Sequence, residues 1–147
     1  MRALMLCLCL FASCAVKQAP QLHSAVQQAS GLGKLHAQFV HDVPQPLDFA
    51  FAVTSSRQFR FEILHPLTMQ TVFACGSNCQ DSWWWEQGKS RRLSVQRLSR
   101  LFQQRTQVKL DDFLLQLLRE SSQGLQLDFR EWKNTALLDP RLFSAYE

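Results

Sequence analysis

The chain predicts an α+β protein built on an antiparallel sheet, and three observations carry that expectation. From Leu35 to Leu93 apolar residues recur at every second position in short runs, and turn residues separate the runs. From Ser94 to Leu118 the spacing widens to three and four, the period of a helix with one buried stripe. After Gly124 the period of two returns. Short connections make sequential strands antiparallel neighbours, whereas parallel pairing needs long crossovers.

The elements follow in order. Residues 1–13 read as a signal peptide: Arg2 supplies the positive start, Ala3 to Phe11 an apolar run too short to span a bilayer, and Ala12-Ser13 small residues before a cysteine. Leu10-Phe-Ala-Ser-Cys14 resembles a lipobox, which implies that Cys14 carries lipid as the new amino terminus. Acyl chains such as palmitate add roughly 0.8 kcal/mol of membrane affinity per buried methylene, so two or three make a stable anchor. Ala15-Val16, with no aspartate, directly follow Cys14, and by the same resemblance the expected address is the outer membrane, facing the periplasm. Residues 14–20 form the lipidated tether and 21–147 one domain.

Pro20 opens a helical segment from Gln21 to Ala29, with Leu22, Ala25, Val26 and Ala29 at helical spacing and Ser30-Gly31 as its stop. Leu35, Ala37 and Phe39 start the first strand, which Pro44-Gln-Pro46 ends. Leu47, Phe49, Phe51 and Val53 alternate with Asp48, Ala50, Ala52 and Thr54, and after Ser55-Ser56 the residues Phe59, Phe61 and Ile63 do the same, giving a hairpin with one apolar face. His65-Pro66 turns the chain into Met69–Cys75. Gly76-Ser-Asn78 makes another turn, then Ser82–Glu86 and Lys89–Leu93 pair across Gln87-Gly88. Strand parity sets Trp84 opposite Trp83 and Trp85, so the three cannot share one core. Ser94 is an N-cap for a helix presenting Val95, Leu98, Leu101 and Phe102. Asp111 or Asp112 begins a second helix, with Phe113, Leu114, Leu117 and Leu118 inward. Leu125, Leu127 and Phe129 return as a strand, and Leu142 to Tyr146 supplies a last one.

Of five cysteines, Cys7 and Cys9 leave with the signal and Cys14 takes lipid. Cys75 and Cys79 remain as an even pair in an oxidising compartment, which predicts a disulfide stapling the turn; a metal or redox pair is the alternative.

The order of parts, with Gly33-Lys-Leu-His-Ala-Gln-Phe39, Arg57-Gln-Phe-Arg-Phe-Glu-Ile-Leu-His-Pro66, Trp83-Trp-Trp-Glu-Gln-Gly88 and the stretch Leu98 to Leu118, resembles the LolA/LolB lipoprotein-carrier superfamily. The resemblance covers residues 21 to 146 and implies an antiparallel half-open β-barrel with covering helices, whose concave face holds acyl chains. Lipid anchoring points to its LolB-like outer-membrane branch, with roles in protein transport and chaperoning. His65-Pro-Leu-Thr-Met69 is the nearest counterpart of that branch's protruding apolar loop.

On this reading Phe49, Phe51, Phe59, Phe61, Phe73 and Trp84 line the lipid-binding interior, and Leu98, Leu101 and Phe102 form its cover. Alternation alone leaves two interiors open, a cavity for lipid or lipoprotein acyl chains and an ordinary filled core. The expected partners are those acyl chains, the membrane through the anchor, and a periplasmic lipoprotein carrier. A docking or assembly subunit on the same scaffold is the second reading.

The chain carries a formal net charge of +4, and its sharpest asymmetry is the run from Lys89 to Lys109, with seven basic residues and no acidic one. Arg91, Arg92, Arg97 and Arg100 are its candidate membrane or partner surface, against the plainer reading of a solvated face. Nucleic acid is excluded by the signal peptide. His23, His36, His41 and His65 are scattered without metal spacing, and neither a nucleophile elbow nor a phosphate loop is present. No enzyme activity, metal or cofactor is expected.

Overall fold

The structure, a computed structural model, describes residues 28–36, 43, 45–55, 58–121, 123–134 and 138–145. The signal, Cys14, the tether, residues 21–27 and Tyr146 lie outside them. Seven strands, β1 (Gln28–Leu35), β2 (Leu47–Thr54), β3 (Phe59–Leu64), β4 (Thr71–Ser77), β5 (Ser82–Glu86), β6 (Lys89–Leu93) and β7 (Leu127–Asn134), form one antiparallel sheet in the order β6-β5-β4-β3-β2-β1-β7. Helices α1 (Val95–Thr106) and α2 (Leu110–Arg119) come between β6 and β7, so the chain crosses from one edge of the open sheet to the other beneath its apolar face. The protein is thus α+β, with an open sheet and two helices on one side.

Register explains which residues meet. Phe51 lies opposite Phe61, Phe61 opposite Cys75 and Cys75 opposite Trp84, one row running across β2 to β5. With Phe49, Ile63 and Phe73 this row faces the helices and is buried. Full burial of each such side chain contributes roughly 1.5–3 kcal/mol. Ser94 caps α1 by accepting the Arg97 N–H at 3.3 Å, and Asp111 and Asp112 occupy the first turn of α2, where carboxylates suit the helix dipole. Buried Gln116 clips the chain leading to β7: its amide donates to the Leu125 carbonyl at 2.7 Å and its oxygen accepts the Leu125 N–H at 3.2 Å.

The other sheet face is covered in part. A short 3-10 helix, Pro140–Phe143, lays Phe143 against the sheet, and Trp83 donates its indole N–H to the Phe143 carbonyl at 3.5 Å. Trp83 and Trp84 are therefore both buried, on opposite faces, as parity requires. Asp139 caps this helix and Pro140 opens it, which replaces the last strand expected from Leu142.

The start of the sheet also departs from expectation. Gln28 and Ala29 belong to β1, not to a leading helix, and the strand runs through Ser30-Gly31 to Leu35. Its glycines answer to close approach. A Cβ on Gly31 would stand 2.1 Å from the Glu131 carbonyl oxygen, and one on Gly33 would stand 2.4 Å from that of Asp128 and 2.7 Å from the Phe49 ring. These residues end no helix; they let β7 and the Phe49 and Phe51 rings close on β1. The expected strand positions Ala37 and Phe39 lie outside the described residues.

Candidate functional site

The interior expected to hold lipid is filled by its own side chains. Phe61 packs edge-on to Phe113 with centroids 5.0 Å apart, Phe102 lies 4.9 Å from Phe113, and Phe73 meets Trp84 edge-on at 4.6 Å. Phe49 bridges Phe51 at 6.1 Å and Phe61 at 5.8 Å. Leu98 and Phe102 are fully buried against this cluster and Leu101 is half-buried beside it. All nine residues expected to line or cover the interior are thus together, and the space between sheet and helices is occupied by aromatic contacts of ordinary core geometry.

Openings occur at its margins. A depression of about 720 Å³ lies between α1 and α2 and is lined by Phe59, Cys79, Arg100, Leu110 and Leu114 among others. A second, about 520 Å³, lies on the face opposite the helices, with Ala50 and Ala52 on its floor and Arg60, Glu62, Glu131 and Lys133 around it. Arg60 pairs with Glu62 and also lies 5.7 Å over the Trp83 ring, so its charge is largely committed.

The connection from β3 to β4 presents an apolar tip. The His65 ring nitrogen Nδ1 accepts the N–H of Leu67 at 3.2 Å and of Thr68 at 3.4 Å, and the His65 N–H donates to the Gln70 carbonyl at 2.9 Å. Met69 has φ 56°. This self-bonded turn leaves Leu67 82% and Met69 59% exposed, the two most exposed large apolar side chains among the described residues.

The basic run divides in two. Arg91, Arg92, Arg97 and Arg100 are exposed, as a surface role requires. Arg105 is not part of that surface: it grips Glu86 with two hydrogen bonds, 3.0 and 3.2 Å, and lies 5.6 Å over the Trp84 ring, fastening α1 to β5. Burial pushes the Glu86 carboxyl up, but hydrogen bonds from Arg105 and Trp84 and the charges of Arg105 and Arg91 outweigh it and hold the group below the usual carboxylate range.

The expected disulfide is absent: Cys75 and Cys79 are both reduced, Cys75 in the core and Cys79 exposed. Hairpin register is the reason, because the residue opposite Cys75 is Trp84, while Cys79 lies in the turn beyond the last pair, Ser77 and Ser82. Asn78 does the stapling instead. Its side-chain oxygen accepts the N–H of Gln80 at 3.0 Å and of Asp81 at 2.7 Å, and the Ser82 hydroxyl donates to that of Ser77 at 3.2 Å. Burial drives the Cys75 thiol well above its ordinary range, so it is inert as a nucleophile.

Two features escape the sequence patterns. Gly76 allows the Trp83 ring to lie across β4, since a Cβ there would stand 2.7 Å from it. His36 sets Nε2 2.6 Å from the Asp128 carboxylate, a pairing of residues far apart in sequence. Among the described residues no group of acidic, histidine and cysteine side chains has the arrangement of a metal site, and no helix is long and apolar enough to cross a membrane. No family model, curated protein or solved structure matches the chain.

Proposed function

We propose that this chain is an envelope lipoprotein of LolA/LolB-like architecture, anchored through Cys14 on the periplasmic side of the outer membrane, that acts as a docking or assembly subunit. The observation that carries the docking role is the filled interior: Phe61, Phe102 and Phe113 occupy the volume that an acyl chain would need. Covered on one face by the helices and in part on the other by the 3-10 helix, the sheet offers partners its edges, its basic segment and its turns. Native mass spectrometry of the mature chain released from detergent tests the role. A mass equal to the chain with its covalent anchor alone supports docking, and an additional, non-covalently bound acyl lipid overturns it. Cys14→Ala tests the anchor, which predicts that the folded domain leaves the membrane fraction.

A second reading, reception of acyl chains from a periplasmic lipoprotein carrier, is favoured by two features. The exposed Leu67 and Met69 form a tip suited to apolar contact, and the opening between α1 and α2 reaches Phe59, Leu110 and Leu114 at the margin of the core. On that reading the helices withdraw from the sheet to admit lipid. Binding of a fluorescent fatty acid that disappears in Phe61→Glu, with the fold retained, distinguishes it.

A further inference from the structure

We propose that the outer edge of β6 receives an acidic, extended segment of a partner protein as an added strand of the sheet. The inference rests on the docking role and names its surface and partner class. β6 ends the sheet order, and no described strand lies beyond it. Positive φ at both Gln87 (53°) and Gly88 (75°) gives the two-residue turn that closes on Glu86 and Lys89. That closing pair is hydrogen-bonded, and such pairs alternate along an antiparallel ladder, so Arg91 with Trp84 and Leu93 with Ser82 are bonded in the same way. The backbone N–H and C=O groups of Ser90 and Arg92 therefore point away from β5 toward the open edge.

Charge selects what pairs there. Lys89 and Arg91 flank the edge on the helix side of the sheet and Arg92 on the other, and all three are exposed. No acidic residue occurs between Gln87 and Leu110, and Glu86, just before them, is held by Arg105. A second copy of β6 laid along this edge would set cation against cation, so the charges that guard against self-association favour a strand bearing carboxylates. The opposite edge differs: β7 exposes Asp128, Arg130, Glu131 and Lys133, with both signs interspersed. Strand addition of this kind takes affinity from main-chain bonds and specificity from alternating side chains.

The test uses the full mature chain in neutral detergent and a fluorescent, end-blocked peptide of about eight residues alternating glutamate and valine, read by anisotropy and by backbone amide exchange. The expected result is saturable binding that weakens with salt, slowed exchange at the Ser90 and Arg92 amides, and no binding of the lysine-valine counterpart. Methylating the peptide nitrogens that face the edge keeps the charge and removes the donors, and is expected to weaken binding at least about tenfold. Arg91→Glu with Arg92→Glu, both on exposed positions, is expected to reverse the preference toward the lysine peptide. Equal binding of the methylated peptide overturns the proposal, as does binding to phosphatidylglycerol vesicles without binding to the acidic peptide. Absence of peptide binding by a chain without non-covalently bound lipid removes the edge assignment and leaves the docking role; a co-purified, non-covalent acyl lipid removes the docking role independently of the peptide result.

Discussion

Replacing Phe61 with Ala measures directly whether the interior is a core or a container. The ring is fully buried and touches Phe49 from the sheet and Phe113 from α2, so truncation removes contacts on both sides of the interface. A buried Phe→Ala change costs about 3–5 kcal/mol, combining lost transfer energy with the cavity left behind. A domain of roughly 130 residues shifts by about 4 °C per kcal/mol at the midpoint, which places the fall in Tm at about 12–20 °C. Thermal unfolding of the detergent-purified chain, followed by far-ultraviolet circular dichroism, gives the value. A loss below about 1 kcal/mol, or about 4 °C, would refute the packed interior, because that is the response of a ring bordering empty or solvent-filled space.

Alkylation of the native protein is expected to label Cys79 alone and to reach Cys75 only after denaturation; two inaccessible sulfurs that appear on reduction would restore the disulfide. Gly31→Ala is expected to destabilise the domain by about 1–3 kcal/mol, the usual range for overpacking, since its methyl group collides with backbone of β7 and not with a movable side chain. Urea titration of this variant checks the value, and an unchanged midpoint would remove the close β1–β7 approach. Arg105→Ala is expected to lower stability at neutral pH. The folded Glu86 carboxyl titrates below its ordinary range, so its stabilisation is complete above the ordinary carboxylate pKa and is lost as pH falls through that value toward the lower folded one. The gap between parent and variant urea midpoints should therefore close in acid; a gap that persists there would assign the effect to the stacking on Trp84.

Periodicity made much of this fold legible because the half-buried strands obey it strictly. Phe49, Phe51, Phe59, Phe61 and Phe73 share a face, and the helix boundaries follow from Ser94 and the Asp111-Asp112 pair. Long-range approach stayed hidden. Ser30-Gly31 read as a helix stop because local spacing holds no record of β7, which passes against Gly31 from about a hundred residues away. The paired cysteines misled for a related reason: even number and oxidising surroundings speak to compartment, whereas bridging depends on register, and register sets Trp84 opposite Cys75. The interior could not be settled from one strand pattern either, since the same aromatic face serves a cavity or a core until the helices are placed. With the helices in place, Phe113 lies 5.0 Å from Phe61 and 4.9 Å from Phe102, the packing of a core, and the Phe61→Ala measurement tests it. What the helices cover is thereby removed from the list of binding surfaces. The basic run divides on the same basis: Arg105 is spent on Glu86 and Trp84, and the arginines that remain available are those nearest the unpaired edge, where charge and open backbone coincide.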